Sequence, residues 1–214
     1  KRAALHQHII PSTGIMNRVA KPTSRHNKKS GSVRIISGQW RGRRLPVLDA
    51  EGLRPSTDRT RETLFNWLMA HVQGSRVLDV FAGSGVLGLE ALSRYARETV
   101  FIEKHAPTAK QLKANLNTLK AGAEVHCNDA MAVLPTLSAP FDIIFVDPPF
   151  GHDLVNPCLA ALYKHQLLAT NALIYVEQEI NGPALALPPG CEVIKQKQTG
   201  QLAYCLLEYT GAEA

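Results

Sequence analysis

Apolar and polar positions along the chain follow two regimes. In residues 1–30, scattered apolar residues sit among Lys, Arg, His, Ser, Asn and Pro with little period, which predicts a basic, disordered tail. From residue 31 onward the pattern becomes regular. Residues 33–37 (VRIIS) read as a strand, 38–42 (GQWRG) as a turn and 43–48 as a returning strand, giving a small basic β-hairpin with Trp40 near its tip. After a loop at 49–55, Ser56, Thr57 and Asp58 can cap a helix whose apolar stripe is Leu64, Phe65, Leu68, Met69 and Val72. Strands and helices then alternate. Strands are predicted at 76–81, 99–103, 124–127, 141–147 and 172–178, and helices at 86–96, 107–120, 130–134 and 154–168. Residues 191–197 and 202–209 form a terminal antiparallel pair around Gly200. This alternation predicts an α/β fold: a mostly parallel sheet with helices on both faces. The chain divides into a tail (1–30), a basic hairpin and linker (31–57) and the α/β domain (58–214).

Composition changes this picture in one respect. Of 214 residues, 24 are Lys or Arg and 18 are Asp or Glu, a net charge of +6 that is unevenly spread. The balance is +10 through Glu62 and −4 from Thr63 onward, with no acid before Asp49. A basic front on a mildly acidic body points to an anionic partner, nucleic acid above all, held against a separate working domain. No apolar run approaches the ~18 residues of a membrane span, and the start does not read as a secretory signal. Cys127, Cys158, Cys191 and Cys205 show no C-x-x-C pairing, which fits free thiols in a reducing cytoplasm. The eight His form no ligand-spaced cluster, so no metal is expected. No helix has a second apolar face, so a monomer is expected.

Two stretches carry chemistry. In the first, VLDVFAGSGVLG (77–88), an apolar strand runs into a glycine-rich turn that opens a helix. Gly83, Gly85 and Gly88 satisfy G-x-G-x-x-G, and Glu103 follows 20 residues after Gly83 at the end of the next strand, where a ribose-binding acid belongs. Asp79 discriminates between cofactors. A carboxylate before the glycines would repel a pyrophosphate but would welcome the ammonium and sulfonium of S-adenosylmethionine, which favours that cofactor over NAD; a structural turn with Asp79 bonded to backbone stays open. Asn128 and Asp129 end the third of these strands. Asp129 can face an adenine amine or cap the short helix after it.

The second stretch is FDIIFVDPPF (141–150), a buried strand ending in Asp-Pro-Pro-Phe. Two prolines fix φ and remove two donors, leaving acceptors rigidly placed for a substrate that brings its own hydrogens. The Asp147 carboxylate and the Pro148 carbonyl can accept both hydrogens of an exocyclic amine, with Pro149 stiffening the turn and Phe150 stacking on the base.

These two motifs together resemble the class I S-adenosylmethionine-dependent methyltransferases that modify exocyclic amines. Residues 33–45 (VRIISGQWRGRRL), 53–68 (LRPSTDRTRETLFNWL), 81–95 (FAGSGVLGLEALSRY), 146–150 (VDPPF) and 172–177 (ALIYVE) narrow the resemblance to the RsmD family, bacterial enzymes that methylate N2 of a guanine in 16S ribosomal RNA. The likeness covers about residues 31–209. It implies a Rossmann-like class I methyltransferase sheet. It also implies that Asp79, Ala82, Gly83, Ser84, Gly85, Glu103, Asp129 and Ala130 bind S-adenosylmethionine. Asp147, Pro148, Pro149 and Phe150 would hold the target base. The basic front, with Arg34, Trp40, Arg41, Arg43, Arg44, Arg54, Arg59 and Arg61, would contact RNA; Trp40 could equally pack in the hairpin, and the arginines could form a solvated face. The implied substrate is 16S rRNA in the small subunit or its assembly intermediate, at the guanine numbered 966. Two other readings remain: an N6-adenine methyltransferase on DNA or RNA, and a non-catalytic RNA-binding assembly factor.

Overall fold

The computed structural model describes residues 30–48 and 58–211. Residues 1–29 of the predicted tail, the 49–55 loop with Arg54, and the predicted capping residues Ser56 and Thr57 lie outside the described residues, while Ser30 belongs to the first strand. Two strands, β1 (Ser30–Arg34) and β2 (Arg44–Leu48), form an antiparallel hairpin, followed by helix α1 (Asp58–Trp67). The body then runs β3 (Arg76–Asp79), α2 (Val86–Ser93), β4 (Glu98–Ile102), α3 (Ala106–Leu119), β5 (Glu124–His126), α4 (Ala130–Val133), β6 (Phe141–Val146), α5 (Val155–Lys164), β7 (Leu168–Glu179), β8 (Cys191–Thr199) and β9 (Leu202–Tyr209). A 3-10 turn at Leu134–Thr136 extends α4.

The seven body strands lie in the order β5-β4-β3-β6-β7-β9-β8. The first five are parallel, and β9 pairs antiparallel with both β7 and β8. The strand order reverses between β3 and β6, so the C-terminal ends of β3, β4, β6 and β7 frame a crevice of the kind that holds ligands in open α/β sheets. One face of the sheet packs on α1, α2, α3 and the hairpin, around Phe65, Leu89, Phe101, Phe145 and Tyr175. The other packs on α4 and α5, around Leu78, Ile102, Leu134, Ile144 and Leu159. Val33, Ile35, Leu45 and Val47 belong to the first of these cores, so the hairpin is packed onto the α/β body.

Among the elements whose bounds depart from the pattern-based expectation, three do so for a clear local reason. The pattern predicts the first strand at 33–37, but it is Ser30–Arg34. Its ladder closes where the Ile35 amide donates to the Arg43 carbonyl at 2.9 Å. Beyond that point the Ile36 and Ser37 amides donate instead to the buried Glu90 carboxylate, at 2.8 and 2.9 Å. The helix predicted through 168 ends at Lys164. The backbone turns left-handed at Gln166 (φ 56°), and the Leu167 amide folds back on the Leu162 carbonyl. That frees Leu168 to begin β7 opposite Phe141. Met69, predicted on the apolar stripe of α1, is 72% exposed because the helix proper stops at Trp67 and the following turns rotate it outward.

Candidate active site

The glycine turn leaves β3 at the crevice. Gly83 (φ 52°) and Gly85 (φ 76°) both take left-handed backbone, which folds the chain tightly enough for the Gly85 amide to reach the Ala82 carbonyl at 2.7 Å. The third glycine serves packing: a Cβ on Gly88 would lie 2.2 Å from the Phe101 ring, so α2 seats directly on β4. Asp79 is buried under this turn, and one carboxylate oxygen accepts the Gly88 amide at 3.1 Å. Burial raises its pKa to about 7; the Gly88 bond opposes the shift and the neighbouring Glu103 adds to it. Glu103 closes the turn from the end of β4. Its two oxygens accept the Gly83 amide at 2.7 Å and the His105 amide at 2.6 Å. Ala82 is tied to β4 by its amide on the Ile102 carbonyl, and Ser84 lies half-buried in the turn.

Asp129 caps α4: one oxygen accepts the Met131 amide at 3.0 Å, and the other takes the Lys104 ammonium at 3.0 Å. The Lys104 ammonium and the Met131 amide hold its carboxyl below the usual range against the cost of desolvation. The cap leaves Asp129 half-buried at the crevice beside the buried Ala130. Capping and ligand contact are therefore compatible here.

Across the switch point, β6 delivers the Asp-Pro-Pro-Phe turn. Asp79 of β3 sits opposite Phe145 of β6, so the glycine turn and this turn leave adjacent strands at the same edge. Asp147 and Phe150 are half-buried, Pro148 is buried and Pro149 is exposed. A recess beside the turn is lined by Pro148, Pro149, Phe150, Glu177, Gly182 and Pro183. The buried Glu177 at the end of β7 is a site residue that motif reading misses. Its signal is an acid closing the apolar run ALIYV, but only strand register, with Val146 opposite Val176, brings it to the Asp-Pro-Pro-Phe turn.

The basic front is a correction in part. Arg61 is only 2% exposed and does not offer itself to RNA. Its guanidinium donates to the Arg34 carbonyl at 3.0 Å and to Asp58 at 2.5 Å, and lies 3.9 Å from the buried Glu90. Helix phase turns this position of α1 toward the hairpin, so an arginine there becomes a clamp. Arg34 is half-exposed and paired with Asp58 at 3.0 Å. Arg41, Arg43, Arg44 and Arg59 are exposed. Trp40 is half-buried against the first core, with its backbone amide on the Ser93 hydroxyl at 3.0 Å. That bond puts the hairpin tip at the C-terminal end of α2, roughly 12 Å along the helix from the glycine turn. Among the described residues no group of three His, Cys, Asp or Glu gathers as metal ligands, and no helix is long and apolar enough to cross a membrane.

Comparison with known proteins agrees with this geometry. A structure titled "Putative methyltransferase yhhF from Escherichia coli" superposes with a TM-score of 0.79 at 47% identity, covering 85% of this chain and 99% of that one. The fold and its crevice thus define an α/β methyltransferase. A family model described as "Conserved hypothetical protein 95" matches residues 33–208. "Ribosomal RNA small subunit methyltransferase D" of Escherichia coli is 49% identical over 180 residues, 84% of this chain and 91% of the relative. Its namesake in Haemophilus influenzae is 48% identical over 183 residues, 83% and 94% of the two chains. The chain belongs to this family, that of the small-subunit ribosomal RNA methyltransferases D.

Proposed function

We propose that this protein transfers a methyl group from S-adenosylmethionine to the N2 amine of a guanine in 16S rRNA, at the position the family numbers 966. It would act as a cytoplasmic monomer on the small subunit or its assembly intermediate. The observation that carries the reading is the pairing of two acidic turns on adjacent strands: Asp79 and Glu103 around the glycine loop, and Asp147 with Pro148 next to it.

The residues present fit a cationic nucleoside. The groups that set the charge state of Asp79 are its own burial, the Gly88 amide and another carboxylate. A pyrophosphate would meet two acids there, whereas an ammonium would relieve both. Asp79, Gly83, Ser84 and Gly85 would hold the amino-acid end, Glu103 the ribose hydroxyls, and Asp129 with Ala130 the adenine. When bound, S-adenosylmethionine supplies an electrophilic methyl group on a positively charged sulfur.

The chain's own work is to position and discharge the amine. The N2 lone pair of guanine is delocalised into the ring, so alignment supplies much of the rate, on the order of 7–11 kcal/mol. The Asp147 carboxylate and Pro148 carbonyl accept the two N2 hydrogens and turn the lone pair toward the methyl donor. Phe150 stacks on the base once it leaves the RNA stack, a step costing roughly a few kcal/mol. Asp147 stabilises the positive charge that grows on nitrogen and takes the departing proton or passes it to water. Incubation with labelled methyl donor tests the reading. Label should enter unmodified small subunits and not duplex DNA; label in DNA alone would favour the adenine alternative, and label in neither the non-catalytic one.

A further inference from the structure

Glu177 is an acid that none of these roles uses. It is 4% exposed, yet it stands near the end of β7 at the crevice edge. Val146 pairs with Val176 in the β6–β7 ladder. Continuing that register by one residue sets Asp147 and Glu177 side by side on the same sheet face, about one strand spacing (~4.8 Å) apart. Both belong to the face of Phe145 and Tyr175. The Tyr175 hydroxyl, two residues back on that face, donates to a Glu177 oxygen at 2.8 Å. Tyr175 keeps its proton: burial, then the negative charge of Glu177 and of Asp147, hold its pKa well above the ordinary value. One Glu177 oxygen is thereby fixed by a neutral donor inside the fold.

We infer that Glu177 is the specificity residue of the base site, accepting the N1 hydrogen of guanine while Asp147 accepts from N2. The inference rests on the guanine-N2 reading above and deepens it. Guanine presents N1–H and N2–H2 on one edge, a donor pair that matches two neighbouring acid acceptors. Adenine presents a bare N1 acceptor there, which a buried carboxylate repels. An acid in this place therefore selects guanine without touching the reacting nitrogen. Its burial strengthens the choice, because a wrong base sets a lone pair against a carboxylate that water does not reach.

The test uses small subunits assembled on RNA that carries either guanine or 2-aminopurine at the methylated position. 2-Aminopurine keeps the N2 amine but lacks the N1 hydrogen. Single-turnover methylation by the unaltered protein should favour guanine by at least ~10²-fold. In Glu177→Gln the amide can donate to the bare N1 of 2-aminopurine, so the preference should fall at least ~10-fold. An equal loss on both substrates would mean a structural role only and would overturn the inference. Should Glu177→Gln not fold, Glu177→Asp retains the charge but withdraws the acceptor. It should slow guanine more than 2-aminopurine, and an unchanged ratio again overturns the inference. Failure of the unaltered protein to methylate guanine at all would instead overturn the proposed function.

Discussion

Asp79 lies wholly buried against the Gly88 amide, and its pKa near 7 follows from that setting. The unfolded chain releases this proton near 3.8 and the folded chain only near 7. The folded state therefore holds the proton more tightly, so stability from this residue is greatest below pH ~4 and declines as pH rises toward 7. Asp79→Asn removes the penalty. Without cofactor, the melting temperature of the variant relative to the parent should climb between about pH 4 and pH 7 and level off above that, once Asp79 of the parent is ionised in both states. A difference independent of pH would show that Asp79 does not titrate in this range. In the proposed function Asp147 has a separate role, at the amine. Asp147→Ala should lower single-turnover methylation by ~10²–10³-fold, as for removal of one preorganised polar group. S-adenosylmethionine affinity, measured by calorimetry, should stay near that of the parent; a matching loss of affinity would place Asp147 in the cofactor site instead.

The hairpin is held to α2 by polar groups as well as by apolar packing. The Glu90 carboxylate collects the Ile36 and Ser37 amides and the Arg94 guanidinium at 2.8–2.9 Å, with Arg61 at 3.9 Å. Ser93 adds a bond to the Ser37 carbonyl at 2.6 Å. Glu90→Gln would turn an amide donor toward this ring of donors and leave Arg61 without its buried counter-charge. The expected cost is about 3 kcal/mol or more, a fall in melting temperature of roughly 6–12 °C for a chain of this size. An unchanged melting temperature would show that the hairpin does not depend on this clamp. Sequence pattern places these elements well but not their junction. The alternation of strands and helices and the terminal antiparallel pair are legible from period alone, because a buried parallel strand has to be apolar throughout. The end of β1 is not, because Ile36 continues an apolar run while its amide is claimed by a residue 54 positions away. Glu90 itself stands in VLGLEALS, a helix buried along its whole length, and an acid there is a legible sign of a buried partner.

At the scale of the whole molecule, the proposed function reads the charge asymmetry as a division of labour. The acids Asp79, Glu103, Asp129 and Asp147 all lie along one sheet edge, while Arg41, Arg43, Arg44 and Arg59 are exposed on the hairpin and α1. Net charge along the chain points to an RNA-binding front. It does not show which arginines face outward, since Arg61 and Arg59 read alike in sequence and only helix phase sends one inward. In the proposed function, salt dependence of RNA binding falls to the exposed hairpin arginines. Replacing Arg41, Arg43 and Arg44 by Ala should reduce the slope of log affinity against log salt by ~0.7–0.9 for each phosphate no longer neutralised. An unchanged slope would place the RNA elsewhere. The catalytic edge is legible because glycine turns and Asp-Pro-Pro-Phe are local in sequence; the Asp147–Glu177 juxtaposition is not, because strand register creates it across 30 residues. Methyl transfer to guanine N2 is tested most directly by mass-spectrometric mapping of nucleosides from unmodified small subunits incubated with the protein and S-adenosylmethionine. The expected result is N2-methylguanine at one position of the 16S rRNA. N6-methyladenine, or no new methylated nucleoside, would contradict it.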